Sequence, residues 1–375
     1  MTSTLNHTRL KPGLFLLESG VAHLNHGSYG AVPLPVLEAR RRAEERLERS
    51  PERFYREEIT PAMDRVRGDV AAFLGTDPAG LVLVRNVTEA VQVVLGSLEF
   101  SAGSEIVFTE HAYGWVKAAI TRACREHGVT ARCVPLPHKP EKPGALTEAI
   151  TAAVNDRTAL VVLDQITSAS ALRLPVEEVC AALGGQVPVL VDAAHAPGLI
   201  GNPVPDGAAF WTGNLHKWAF APRTAAVLTV APEFRGRVRP LVESAGGAEG
   251  FPRSFTYLGT LDPTPYLALP AALAFPEEHL GLTFTELRQR NTALLQAGLE
   301  HLGYAAEPEL PLASVPLGRE GGDDAAWELT GRLRREGVEA AVTTAGGELH
   351  LRLSVQAYNG PEDFEMLKEA LARLV

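Results

Sequence analysis

Cysteine, surplus positive charge and long apolar runs are all scarce in this chain of 375 residues. Only Cys124, Cys133 and Cys180 occur, and none follows position 180. An odd number without close spacing offers neither a disulfide framework nor a C-x-x-C pair. Met1 to Lys11 lacks the pattern of a secretory leader, so a reduced, cytoplasmic setting is expected. Lys and Arg number 35 against 45 Asp and Glu, a net charge of −10, which argues against a nucleic-acid or anionic-membrane partner. The one arginine-rich run, Arg40 to Arg49, is interleaved with Glu44, Glu45 and Glu48 and reads as a solvated helix face. No stretch of about 18 uninterrupted apolar residues provides a membrane span. The G-x-G-x-x-G, Walker A, G-x-S-x-G and H-E-x-x-H patterns are also absent, which removes the usual support for nucleotide-binding and hydrolase readings. His23 and His26 have an i, i+3 spacing, but they sit in a Gly-flanked turn without nearby Cys or Asp, so no metal is expected.

What is present is ample apolar material: 46% of residues are hydrophobic, against 21% charged. At about 150 residues per domain the length suggests two or three domains. From residue 33 the chain alternates helix-period and strand-like segments. Apolar runs at Leu81–Val84, Ile106–Phe108, Val129–Val134, Leu160–Leu163, Val189–Val191 and Ala226–Val230 predict strands. Helices are predicted between most of them, and Thr60-Pro61 is read as an N-cap followed by Pro at the first helical position. Strands apolar on both faces and alternating with helices predict an α/β fold, a mostly parallel sheet covered by helices. Past Gly250 the pattern changes to a smaller α+β arrangement. The expected division is a large domain over 20–255 and a small one over 256–375, joined by the N-terminal segment 1–19.

In such sheets ligands sit beyond the carboxyl ends of the strands. Four polar clusters pass that filter. Arg85-Asn86-Val87-Thr88-Glu89-Ala90 spans a strand end and a helix start, suited either to a phosphate or to a plain N-cap. Asp192 follows an apolar strand and has His195 three residues on; a buried acid there needs a cation, a hydrogen-bond donor or a loop to cap. Gly213-Asn214-Leu215-His216-Lys217-Trp218 sets a lysine between a histidine and a tryptophan, where partial desolvation favours a nucleophile; an isolated surface lysine is the bland alternative. His111, or Tyr113 as fallback, offers a flat face after the Ile106–Phe108 run. A phosphate cradle, an acid for a ring nitrogen, a stacking side chain and a Schiff-base lysine together suit pyridoxal phosphate (PLP).

At this point the chain resembles the class V aminotransferase family, fold-type-I PLP enzymes, and in particular its isopenicillin N epimerase-like branch. The resemblance is carried by His23-Leu24-Asn25-His26-Gly27-Ser28-Tyr29-Gly30, by the Arg85–Ala90 and Gly213–Trp218 clusters, by Gly259-Thr260-Leu261-Asp262-Pro263, and by Leu351-Arg352-Leu353-Ser354 with Tyr358-Asn359. It implies a large PLP domain and a smaller C-terminal domain. It implies that Lys217 forms the Schiff base and moves protons, that Asp192 pairs with the pyridine nitrogen, and that His195 lies near the ring hydroxyl. Asn86, the Val87 backbone, Thr88, Asn214 and His216 would hold the phosphate, and His111 would stack on the ring with a catalytic part. Thr260 would reach the phosphate of a neighbouring subunit, making a homodimer with shared sites. Arg352 would clamp a substrate carboxylate, and Asn25 and His26 would line the substrate mouth. Gln165 stands where many relatives carry a histidine, so an acid–base role is not carried over there.

The implied reaction acts at the α-carbon of an amino acid or related amine. Epimerisation is the first expectation, with transamination or C–S β-lysis without a catalytic cysteine as alternatives. A desulfurase route needs a thiol in the C-terminal part, and this chain has none there. A non-catalytic PLP-fold binding protein is the remaining alternative; an intact Lys217 and Asp192 weigh against it.

Overall fold

The computed structural model describes residues 8–137, 142, 144–243 and 248–374; the first residues, on which the leader expectation rests, lie outside this range. In chain order the strands are β1 (Ala22–His23), β2 (Leu81–Val84), β3 (Glu105–Thr109), β4 (Thr130–Val134), β5 (Thr158–Asp164), β6 (Val189–Asp192), β7 (Phe210–Asn214), β8 (Ala226–Val230), β9 (Leu312–Glu320), β10 (Val338–Glu339), β11 (Ala341–Ala345) and β12 (Glu348–Ser354). The principal helices are α1 (Leu34–Arg49), α2 (Ile59–Leu74), α3 (Val87–Ser97), α4 (Gly114–His127), α5 (Ala145–Ala152), α6 (Val176–Leu183), α7 (Phe284–His301), α8 (Asp323–Arg335) and α9 (Pro361–Leu374).

Two compact units result. The larger comprises Val36–Ser168 and Leu172–Leu273; the smaller comprises the chain up to Pro35, Ala169–Ala171 and the chain from Ala274. Both expected boundaries move. Residues 256–273 stay with the larger unit because Arg40 bonds Asp262 and Thr264, both at 3.1 Å, and Tyr55 donates to the Leu261 carbonyl at 2.7 Å. Residues 20–35 join the smaller unit because β1 pairs with β10 and Asn25 bridges to Ser354. Backbone pairing overrides sequence proximity there.

The larger unit is built on a seven-stranded sheet in the order β2-β8-β7-β6-β5-β3-β4. Every residue of β2, β3, β6, β7 and β8 is buried, as a sheet covered on both faces requires. Helices α3 and α4 press Val91, Val94, Val116 and Ile120 onto the core with Ile106, Leu160 and Leu190. β8 runs antiparallel to both β2 and β7, while β3 through β7 are mutually parallel. β2 through β7 therefore all point the same way, and their carboxyl ends share one edge. That edge is where the predicted clusters fall.

The smaller unit has an antiparallel sheet, β11-β12-β9, with Leu351, Leu353, Leu333 and Phe364 in a core of its own. Helix α7 starts with a capping box between Thr283 and Glu286. The N-cap expected at Thr60 does not form. The chain is helical from Pro51, with a π turn over Phe54–Glu58 running straight into α2. A widened turn just ahead of Pro61 accommodates its ring and missing N–H without ending the helix.

Candidate active site

Lys217 lies three residues beyond β7, and its Nζ is 3.1 Å from His195 Nε2. His195 is buried, and its Nδ1 accepts the Trp218 indole N–H at 3.3 Å. Two glycines let the segment after β6 approach this closely. Gly198 has φ +87°, and a Cβ there would lie 2.6 Å from the Trp218 carbonyl oxygen. A Cβ at Gly213 would lie 2.6 Å from Pro197 Cγ and 2.7 Å from Trp211 Cη2. These are backbone and ring contacts, so a side chain at either position displaces the loop that carries His195.

Asp192 ends β6 and is paired in register with Asp164 at the end of β5; both are buried. Asp192 Oδ1 accepts the Ala194 N–H at 3.0 Å. Burial raises the Asp192 pKa, opposed by the Ala194 hydrogen bond and the Lys217 charge. Asp164 is raised well above the usual carboxylate range by burial and then by Asp192, against weaker opposition from the backbone around Tyr113. Of the two, the stronger upward push falls on Asp164. Asp164 has no sequence-based assignment, although the signal is available: it follows an apolar strand just as Asp192 does.

On the other side of Lys217, Asn214 Oδ1 accepts the Val87 N–H at 3.1 Å, tying the end of β7 to the first turn of α3. Asn86 caps the same helix by accepting the Glu89 N–H at 2.9 Å. The N-cap reading of the first cluster is the one the structure shows. Asn86 is an N-cap and the Val87 N–H is spent on Asn214, which corrects its assignment to a phosphate. The Thr88 N–H and hydroxyl carry no hydrogen bond among the described residues and face no internal competitor. His216 donates from Nδ1 to the Ala225 carbonyl at 3.1 Å; burial, then the Lys217 and Arg223 charges, push its pKa down to about 4. The ring is neutral at pH 7, and an anion bound beside it would draw that pKa upward.

His111 follows β3, and its Nε2 donates to the Leu136 carbonyl at 2.9 Å, which fixes the ring by its edge. Tyr113 is the N-cap residue just before α4 and is 41% exposed. Gln165 does not stand open at the site. It is fully buried, accepts the Trp211 indole N–H at 3.0 Å and donates to the Pro203 carbonyl at 2.8 Å. Its amide ties the end of β5 to Trp211 on β7 and to the Pro203 loop. Thr260 is exposed, with its hydroxyl 3.4 Å from Tyr257 OH in the same loop.

In the smaller unit Arg352, on β12, is buried and donates to Asn25 Oδ1 at 2.9 Å and to the Ser28 hydroxyl. Ser28 also donates to Asn25 at 2.8 Å. Both of these partners are neutral side chains that orient the guanidinium. His26 is buried, with Nδ1 3.0 Å from Tyr358 OH and Nε2 3.4 Å from Gln356 Nε2. With Asn25 and Tyr29 it walls a cavity of about 180 Å³ within this unit.

The donor set of the larger unit fits PLP. Asp192 is buried with one carboxylate oxygen that accepts no hydrogen bond among the described residues, as a pyridinium N–H requires. Thr88 supplies open donors at a helix start for an anion, and Lys217 supplies an amine beside both. No group of three or more His, Cys, Asp or Glu suited to a metal occurs among the described residues. No helix among them is long and apolar enough to cross a membrane.

Comparisons with known proteins agree with this chemistry. The chain is 30% identical to isopenicillin N epimerase of Streptomyces clavuligerus over 96% of its own length and 97% of the relative's. It is also 30% identical to putative L-cysteine desulfhydrase 1 of Oryza sativa subsp. japonica, covering 96% of this chain and 84% of that one. The solved structure of the cystine C–S lyase C-DES, in complex with its product cysteine persulfide, superposes with a TM-score of 0.81 at 22% identity, covering 97% of this chain and 99% of that one. That likeness establishes the fold, the type I fold of PLP enzymes. The pattern of the aminotransferase class V family matches residues 41–303. The chain belongs to the class V aminotransferase family and is a PLP-dependent enzyme.

Proposed function

We propose that this enzyme acts at the α-carbon of an amino acid or closely related amine, with epimerisation as its reaction. The observation that carries the reading is the pairing of Lys217 with His195 beside a buried Asp192, on neighbouring parallel strand ends. PLP, when bound, supplies an electron sink that makes the substrate Cα–H acidic. The chain's own groups do the rest. Lys217 holds the cofactor and, when displaced, carries the proton at the substrate Cα. Asp192 keeps the ring nitrogen protonated. Thr88 grips the phosphate, with Asn86, Asn214 and His216 shaping the cradle, while His195 donates toward the ring oxygen and His111 covers the ring face. Arg352, held by Asn25 and Ser28, receives the substrate carboxylate in its planar fork, and His26 stiffens that wall.

A homodimer is part of the proposal. Leu241, Val242, Tyr257 and Leu261 are exposed apolar residues around a cavity of about 280 Å³ that also includes Arg85 and Glu89. A second copy covering this patch would bury it and bring a Thr260 hydroxyl toward a phosphate. A reducing cytoplasmic location suits three free cysteines, one of them exposed.

C–S β-lysis is the second reading, favoured by the desulfhydrase relative at equal identity. A sulfur-accepting cysteine is missing after Cys180, so such a lyase would release its sulfur product directly. The test is a panel of amino acids in D2O with the yellow, borohydride-sensitive protein. α-Proton exchange with inversion and no keto acid supports epimerisation. Sulfide release from cysteine or cystine replaces it with the lyase reading, and keto-acid formation with transamination. A Lys217→Ala protein that still retains cofactor after borohydride would overturn the assignment of the lysine.

A further inference from the structure

The donors around Lys217 form a one-way chain. An indole N–H can only donate, so at 3.3 Å from Trp218 the His195 Nδ1 must accept. A neutral ring that accepts at Nδ1 carries its proton on Nε2. That N–H points at Lys217 Nζ, 3.1 Å away, and needs a lone pair there. A lysine ammonium would set donor against donor, and an imidazolium would do the same against the indole. We propose that Trp218 is a positioning residue: its N–H locks His195 in the Nε2–H form and so keeps Lys217 a free, nucleophilic amine before cofactor capture.

Among the described residues, the titratable groups that interact with the amine include Asp192 on the end of β6 and His216 next to it in sequence, and Arg223 acts on His216. Asp192 favours the ammonium, while His216 is neutral. The direction of the hydrogen bonds through His195 is set against the Asp192 charge. Gly198 makes the chain possible by letting the His195 loop touch the Trp218 backbone. The inference rests on the PLP reading for its consequence, though not for its geometry.

Two measurements test it on the full-length protein stripped of cofactor. In protein labelled with ¹⁵N-histidine, with the His195 signal assigned by its loss in His195→Gln, wild type should show a bare Nδ1 and a protonated Nε2. Trp218→Phe should move proton population onto Nδ1. A wild-type ring protonated on Nδ1, or a Trp218→Phe spectrum identical to wild type, overturns the proposal. The second readout is the rate of PLP capture against pH. A lysine with its ordinary pKa of about 10.4 gains free amine about tenfold per pH unit below that value. Wild type should be nearly level from pH 7 to 9. Trp218→Phe should be at least about tenfold slower at pH 7 and climb steeply; equal slopes refute the lock. His195→Gln guards against misfolding of the tryptophan variant. Its amide oxygen can accept the indole N–H while its NH2 faces Lys217, so capture should stay level, and a steep profile there counts against the proposal. Should no PLP be captured at any pH, the cofactor reading fails, while the nitrogen signals still decide the tautomer.

Discussion

Replacing Gly198 with alanine probes the support of the Lys217–His195 pair without touching either residue. The backbone at Gly198 has φ +87°, and its new Cβ would meet the Trp218 carbonyl oxygen at 2.6 Å, the carbonyl carbon at 2.7 Å and Ala219 N at 3.0 Å. Placing an L-residue in left-handed backbone costs roughly 1–2 kcal/mol. The contacts are backbone atoms with no rotamer to yield, so loop displacement adds a similar amount, for a total of about 2–4 kcal/mol. In a unit of this size each kcal/mol lowers Tm by about 2–4 °C, so a fall of roughly 5–15 °C is expected by calorimetry or circular dichroism. Gly201 provides the control. It lies in the same loop, a Cβ there would have nothing within 4 Å, and its φ is not positive, so its alanine variant should stay within about 0.5 kcal/mol of wild type. Because the displaced loop carries His195, Gly198→Ala should also make PLP capture climb with pH. Equal melting temperatures for the two alanine variants would refute the account of how this loop is held.

The remaining predictions concern charge. Asp164 has a folded-state pKa raised above its unfolded value, so the stability tied to its proton is present below about pH 4 and is lost as pH rises through the raised value. Asp164→Asn removes that loss; its urea midpoint should fall less than wild type's on going from pH 5 to pH 8, and parallel curves would show that Asp164 is not the protonated partner of Asp192. Arg352→Lys keeps the charge and loses the planar fork, which is worth about 1.5–3 kcal/mol as charged hydrogen bonds. KM for α-carboxylate substrates should rise roughly tenfold to a hundredfold with kcat less affected, whereas an unchanged KM would remove Arg352 from substrate binding.

Much of the site is legible in the sequence because functional segments follow short apolar runs, as Asn86 and Asp192 do. With Lys217 in its His-Lys-Trp setting, their order along the chain points to one cofactor. The rule also covers Asp164, although its neighbour Gln165 is the more conspicuous residue as a departure from the family. Gln165 is a buried tie to Trp211, a contact between residues 46 positions apart that no local pattern discloses. The Val87 N–H is misread from sequence for the same reason, since its acceptor Asn214 lies 127 positions away. The domain boundary shifts because Arg40 and Tyr55 reach forward to the segment around Asp262, whose proline-rich composition suggests a new domain.

The sequence by itself determined the fold class, the family and the chemical types at the site, because burial periodicity and short motifs are local properties of the chain. Its lack of cysteine beyond Cys180 also bore on the reaction, since a residue that is absent can form no thiolate. Tertiary structure decided which of these groups meet. Asp164 lies beside Asp192, and His195 lies between Trp218 and Lys217, through neighbours brought from other strands. Those neighbours meet only because β2 through β7 end on one edge, where burial strengthens each charge and hydrogen bond they share.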